Sequence, residues 1–276
     1  MRMFQVDAFT ARPFAGNPAA VLVLDGPAPV AAMQALAAEN NLAETAFTWA
    51  EPGRPGVRRL RWFTPVDEAP FCGHATLATA HVLIAELGES GPLAFETAVG
   101  PIRVAATPAG YELDLPRFDM MAAALPEALA GIFPEPPVFV GRNFENLFVV
   151  LAEAGLVRDF APDQTVIGRI HPEGLVITAP AEPGSGIDFV SRFFCPGWGI
   201  PEDPVTGSIH ATLAPWWAER LGLTVLQAVQ ASPRGGRLAC PVESMRVRVA
   251  GPAVTVFDAR LHPEIAARFR SSAPAG

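Results

Sequence analysis

Slid against itself by 134 positions, the chain meets its own pattern. Glu68, Pro70, Gly73, Ala80, Leu87 and Gly88 fall on Glu202, Pro204, Gly207, Ala214, Leu221 and Gly222. Upstream, "RWFTP" (61–65) echoes "RFFCP" (192–196) with three residues inserted in the later copy, and downstream Arg103 falls on Arg237. Small residues match by chance in an Ala- and Gly-rich chain. Ordered matches of Arg, Phe, Pro, Glu and Gly over about forty positions are the mark of an internal duplication. Two similar lobes are therefore expected, 1–118 and 138–276, around a linker at 119–137. The seam, "PRFDMMAAALPEALAGIFPEPP" (116–137), reads as a connection carrying a short helix. The terminal strand is free to cross back to the N-terminal lobe.

Each copy centres on a helical stretch, "PFCGHATLATAHVLIAELG" (70–88) and "PVTGSIHATLAPWWAERLG" (204–222). Apolar residues cover most of the first (Leu77, Ala80, Val82, Leu83, Ile84, Leu87) and much of the second (Ile209, Leu213, Trp216, Trp217). A helix apolar on nearly all sides is buried on nearly all sides. Around them lie short segments, several alternating with the period of half-buried strands: "MFQVDAF", "AAVLVL", "AETAFTWA", "RRLRWFT", "LAFETAV", "IRVAAT" and "YELDL", then "VFVG", "NLFVVLA", "GLVITA", "DFVSRFF", "MRVRVA" and "VTVFDA". The expected fold class is α+β: two pseudo-symmetric lobes, each a curved, mostly antiparallel sheet or barrel wrapped around a central helix. The 29 prolines and 24 glycines, spread along the chain, suit such short elements and tight turns. Pro215 should kink the second helix or move its start later.

The chain has no lysine; all 20 basic residues are arginine. That excludes Schiff-base chemistry, lysine-anchored pyridoxal phosphate and a Walker A lysine. No GxGxxG is present, so the chemistry is expected to be cofactor-free acid–base work. A formal net charge of −8 argues against nucleic acid or an anionic membrane as partner. No apolar run reaches the roughly 18 residues of a membrane span. The opening "MRMFQVDAFTARPF" lacks a signal-peptide core, so a cytoplasmic location is expected. The three cysteines, Cys72, Cys195 and Cys240, form no CxxC, which speaks against a disulfide framework or structural zinc. His74 and His210 match no zinc spacing such as HExxH, and no metal is expected. His81, inside the apolar helix, reads as a core histidine.

The two helix starts, Cys72-Gly73-His74 and Thr206-Gly207-Ser208, each combine unpaired backbone N–H groups with the positive end of a helix dipole, a setting that binds carboxylates or phosphates. Asp203, Thr206 and Ser208 could equally be ordinary N-caps. Under approximate two-fold symmetry, equivalent starts can face each other across a cleft, with unequal residues: Cys72 pairs with Thr206 and His74 with Ser208. A two-thiol racemase would need cysteine at both, so Cys72 reads better as a small buried residue than as a nucleophile. In "NNLAETAFTW" (40–49), Leu42, Glu44, Ala46 and Thr48 share one strand face. That face either meets solvent, leaving Glu44 simply wet, or is apolar, in which case the carboxyl is poised for proton transfer near neutral pH.

Together "GNPAAV" (16–21), "ETAF" (44–47), "CGHATLA" (72–78) and "EDPVTGSIHATLAPWW" (202–217) resemble the PhzF family, the phenazine-biosynthesis isomerase-like proteins, over essentially the whole chain. The resemblance implies the diaminopimelate epimerase-like fold, a homodimer, and cofactor-independent isomerisation of a small unsaturated carboxylic acid by an acid–base glutamate. By motif that glutamate is Glu44, with His74 and Asp203 polarising a substrate amine or hydroxyl and tuning Glu44. Gly73 and Ser208, with Gly207 and Thr206, would hold the substrate carboxylate. Asn17 and Arg234 are candidates for lining the site, although GNP and PRGG also read as turns. An epimerase using Glu44 and Asp203, and a non-catalytic binding protein of the same fold, are the alternatives. The terminal "SSAPAG" is expected to be disordered.

Overall fold

The stretch that is apolar on every side folds as a nine-residue helix, α2 (Gly73–His81), in which every residue is buried. The computed structural model describes residues 1–270; the expectation for "SSAPAG" lies outside them. The chain divides into two units, the first comprising Met1–Phe14, Pro18–Asp114 and the described residues from Gly251 on. Its strands are β1 (Arg2–Ala8), β2 (Asn17–Val23), β3 (Glu44–Ala50), β4 (Val57–Phe63), β5 (Glu68–Ala69), β6 (Leu93–Thr97), β7 (Gly100–Thr107) and β8 (Gly110–Pro116). A C-terminal strand, Ala253–Arg260, pairs antiparallel with β1. Strand β2 runs parallel to β3, β3 antiparallel to β4, and β4 parallel to β6, which continues antiparallel through β7 to β8. Helix α2 packs on β1, β3 and the C-terminal strand, and α1 (Val30–Asn40) packs on β3 and β4.

The second unit holds Ala15–Asn17 and Leu115–Ala250. Its elements are β9 (Met121–Ala122), β10 (Phe139–Arg142), β11 (Asn146–Val150), α3 (Ala154–Arg158), α4 (Gln164–Ile167), β12 (Gly174–Pro180), β13 (Phe189–Cys195), β14 (Ile200–Asp203), α5 (Gly207–Leu221), β15 (Val225–Gln230), β16 (Gly236–Pro241) and β17 (Arg246–Gly251). The pairing sequence of the first unit recurs. Strand β11 is parallel to β12, β12 antiparallel to β13, β13 parallel to β15, and β15 antiparallel to β16, which pairs with β17. The short strands β5 and β14, each antiparallel to its neighbour, feed α2 and α5 in turn. The sequence repeat is thus a repeat of topology. Strands β5, β9, β14, β15 and β16 are absent from the sequence-derived set, although β15 alternates exposed and buried along its length. The short helix expected at the seam is a single 3-10 turn, Glu127–Leu129.

Helix α5 runs unbroken across Pro215, so its start is not displaced. Proline lacks an N–H and cannot bond the carbonyl four residues earlier. That carbonyl, on Ala211, accepts instead from the backbone N–H of Phe118 at 3.1 Å. No helix among the described residues is long and apolar enough to cross a membrane.

The matched arginines and glutamates are ion pairs in the frame around the helix starts. Arg61 on β4 grips Glu68 on β5 with two bonds of 2.7 and 2.6 Å, and Arg192 on β13 grips Glu202 on β14 with bonds of 2.7 and 2.9 Å. Each guanidinium also lies over the phenylalanine two residues on, Phe63 at 5.2 Å and Phe194 at 4.9 Å. The pairs differ in burial: the Arg61 and Glu68 side chains are 25% and 37% exposed, against 9% and 15% for Arg192 and Glu202. Arg192 Nη1 further donates to the carbonyls of Val157, Arg158 and Phe160. Breaking a buried pair strands a charge, whereas an exposed pair is worth little. Arg192→Ala should therefore cost about 3–5 kcal/mol of stability and Arg61→Ala under about 1 kcal/mol, as measured by urea unfolding.

Candidate active site

Glu44 opens β3, and the strand behind it is buried on both faces: Thr45, Ala46, Phe47, Thr48 and Trp49 are all inaccessible. Phe47 and Trp49 join a cluster with Met33 and Leu36 of α1, leaving the alternate face, with Glu44 at its head, toward α2. The solvent-face reading of this strand therefore fails. The Glu44 side chain is 13% exposed, and its Oε2 lies 3.2 Å from Nε2 of His74.

His74 is the second residue of α2 and is buried. Burial, partly opposed by a hydrogen bond to the backbone carbonyl of Pro18, drives its pKa down to about 3. It is neutral at physiological pH. Its Nδ1 sits 3.4 Å from Sγ of Cys72. Sγ is also 4.0 Å from Nε2, so the sulfur lies beside the ring, and the Pro18 carbonyl takes the one N–H of the neutral imidazole. Cys72 is the helix N-cap in extended conformation, yet its side chain makes no capping bond. Instead its carbonyl accepts from the Thr76 hydroxyl at 2.6 Å, which settles that buried hydroxyl within the helix.

The second unit builds a different head on the same frame. Asp203 closes β14, buried, and accepts from Nδ2 of Asn17 at 2.8 Å and from the hydroxyl of Thr206. Burial raises its pKa to about 6, against the pull of those two donors, with Glu202 adding to the rise. Asn17 Nδ2 also reaches the Val205 carbonyl at 2.9 Å. Gln230 locks the turn: its Oε1 accepts from Thr206 N–H at 2.7 Å and its Nε2 donates to the Asp203 carbonyl at 2.8 Å. Thr206 is the N-cap of α5, but its hydroxyl serves Asp203, not the helix. Gly207 is buried and Ser208 half-buried. The Ser208 hydroxyl has no hydrogen-bond partner among the described residues. The ordinary-cap reading accordingly fails for Thr206, the residue at the cap position of α5.

Arg234 is a clasp: its Nε and Nη2 donate to the carbonyls of Gly16 and Ala15, which ties those residues into the second unit. His81 is the core histidine expected, with Tyr111 Oη at 3.1 Å and Thr255 Oγ1 at 2.9 Å on its two nitrogens. His210, which the sequence left without a role, is fully buried with Nδ1 on the Thr206 carbonyl at 2.8 Å. Burial lowers its pKa to about 4. The sequence also gave no sign that Cys72 would meet Glu44 and His74. The three ligand-type atoms lie within 4.8 Å of one another.

These shifts have opposite consequences for stability. His74 and His210 ionise near 6.5 when unfolded, so the unfolded chain takes up protons first and stability is lost as pH falls below about 6.5. Asp203, raised from 3.8, takes its proton first in the folded state, so acid relieves its burial between about 6 and 3.8. Two histidines outweigh one aspartate. Melting temperature should fall between pH 7 and pH 5, and His210→Gln should flatten that slope by about 1.4 kcal/mol per pH unit, measured by thermal unfolding across the range.

Residues 6–259 match the family model described as phenazine biosynthesis-like protein. An uncharacterized isomerase of Pseudomonas aeruginosa is 43% identical over 262 residues, covering 95% of this chain and 98% of that protein. A crystal structure of a phenazine biosynthesis protein of the PhzF family from Enterococcus faecalis superposes with a TM-score of 0.88 at 39% identity, covering 94% of this chain and 99% of that one. A probable proline racemase from Agrobacterium radiobacter shares the fold alone, with a TM-score of 0.64 at 11% identity over 95% and 93% of the two chains.

Proposed function

The chain belongs to the phenazine biosynthesis-like (PhzC-PhzF) family and is an isomerase, and on that premise we propose that it moves a proton on a small unsaturated or cyclic carboxylic acid, with Glu44 as the shuttle and no cofactor. The observation that carries the reading is the Glu44 carboxylate held 3.2 Å from an imidazole that burial keeps neutral. A protonated histidine there would pair with the carboxylate and quench its basicity. A neutral imidazole puts no positive charge beside the carboxylate and leaves it basic. Glu44 takes a proton from one substrate carbon, carries it as a carboxylic acid and delivers it to another carbon, so that no proton is gained or lost overall.

Each helix head carries groups that can meet a substrate in this reading. Neither N-cap side chain engages its helix, which leaves first-turn N–H groups available to an anionic group, at Gly73 in the first unit and, with the Ser208 hydroxyl beside them, at Gly207 and Ser208 in the second. Asp203, with a pKa of about 6, accepts from or donates to a substrate amine or hydroxyl near neutral pH, and Asn17 and Thr206 hold it in place. An epimerase of a small amino or hydroxy acid is the second reading, favoured by the fold shared with a probable racemase.

Deuterium incorporation in D₂O, followed by mass spectrometry over a panel of dihydro-aromatic and β,γ-unsaturated amino and hydroxy acids, tests this directly. Glu44→Gln should lower exchange by about 10²-fold or more while leaving substrate binding largely intact. Exchange at a stereocentre with inversion would select the epimerase. Turnover that survives in Glu44→Gln would remove the glutamate from the mechanism.

A further inference from the structure

Sulfur, nitrogen and oxygen donors from two separate places in the chain converge at the head of α2. Glu44 arrives from the start of β3, and Cys72 and His74 from the helix start, with ligand atoms all within 4.8 Å of one another. We propose that Glu44, Cys72 and His74 form a site for a soft divalent cation, Zn²⁺ above all, that captures the carboxylate assigned above to proton transfer.

Zinc binds imidazole nitrogen and carboxylate oxygen at about 2.0 Å and sulfur at about 2.3 Å, so its donors sit about 3.2 to 3.5 Å apart at tetrahedral angles. Oε2 of Glu44 is already 3.2 Å from Nε2 of His74. Sγ of Cys72 lies 4.0 Å from the same nitrogen and closes the third position by turning about its Cα–Cβ bond. Cys72 S–H loses its proton to solvent, and the neutral imidazole contributes its Nε2 lone pair without changing its charge. Three protein ligands leave the fourth position open to water, the pattern of exchangeable rather than structural zinc.

Three further features favour this. His74 is 4% exposed, so the imidazole is held in place before a cation arrives. Glu44, partly exposed, gives the cation a way in. His74 already has a backbone acceptor, the Pro18 carbonyl, the kind of partner a ligating imidazole uses for its remaining N–H. The donor set also selects the ion. Thiolate and imidazole suit Zn²⁺ and Co²⁺, whereas Mg²⁺ and Ca²⁺ call for oxygen ligands. Sequence spacing hides the site because Glu44 is remote from the other two ligands in the chain.

Co²⁺ titration of the full chain, read by the near-ultraviolet thiolate-to-cobalt charge-transfer band, tests the site without any substrate. Wild type should develop the band, Zn²⁺ should abolish it by displacement, and Mg²⁺ should leave it unchanged. Cys72→Ser should lose the band, although Cys195 and Cys240 remain in the chain. Glu44→Gln should keep the band and bind Co²⁺ tenfold or more weakly, with circular dichroism checking that both variants are folded. The absence of a band in wild type would overturn the proposal. So would a band that persists in Cys72→Ser, or Co²⁺ affinity unchanged in folded Glu44→Gln. Suppression of deuterium exchange by Zn²⁺, reversed by a chelator, is the consequence for turnover and rests on the Glu44 reading; the optical signal does not, so the two stand or fall separately.

Discussion

A helix with no side for water sets the terms for the fold. Every residue of α2 is buried, as are eleven of the fifteen in α5, so each must be enclosed by sheet. The sides of such a helix have nothing to offer a ligand. Its chemistry is confined to its ends, and at the N-terminal end the backbone presents N–H groups and a positive dipole. The short strands β5 and β14 deliver the chain to these ends, and the Arg61–Glu68 and Arg192–Glu202 pairs fix both strands to their neighbours. The positions where side chains can act thus follow from how a buried helix must begin.

Burial then sets the charge of each acting group. The same removal from water that pushes His74 down to about 3 lifts Asp203 to about 6, because in both cases it disfavours the charged form. One head of the duplicated frame holds an imidazole silent at neutral pH. The other holds a carboxyl that can carry or release a proton near neutrality, restrained from a larger rise by the Thr206 hydroxyl and Asn17 amide. Hydrophobic enclosure, which the fold needs for its own stability, is also what makes these groups unlike their counterparts in water.

Much of this was written in the sequence, for identifiable reasons. The repeat was visible because the same residue types recur in the same structural places: an Arg–Glu ion pair on the strands before each helix, and Pro and Gly in the chain's approach to it. The helices announced themselves by lacking a polar stripe. The face of Glu44 was not legible. Alternation across Leu42, Glu44, Ala46 and Thr48 fits a half-wet strand as well as one enclosed by α1 and α2, and only tertiary packing separates the two. Nor could spacing reveal that Cys72 and Glu44 share His74, since a cluster built from a strand head and a helix start leaves no local signature. The helix across Pro215 survives for a reason equally remote in the chain, the Phe118 N–H that occupies the abandoned carbonyl.

The unequal heads raise the question of how a duplicated frame can hold such different residues at equivalent positions. A helix N-cap is ordinarily restricted to a few side chains because its side chain satisfies a first-turn N–H. Neither Cys72 nor Thr206 does so. Cys72 faces His74, and Thr206 turns to Asp203 and Gln230. Released from capping, these positions carry no fixed requirement from the helix itself, and the loss of that stabilisation, about 1 kcal/mol per cap, is small beside the burial of the helix they begin. Stability is assigned to the buried Arg192–Glu202 pair and the apolar helix faces. The cap side chains are left without a duty to their helices, and that division is what allows one frame to present a thiol–imidazole–carboxylate cluster in one copy and a buried aspartate with a serine in the other.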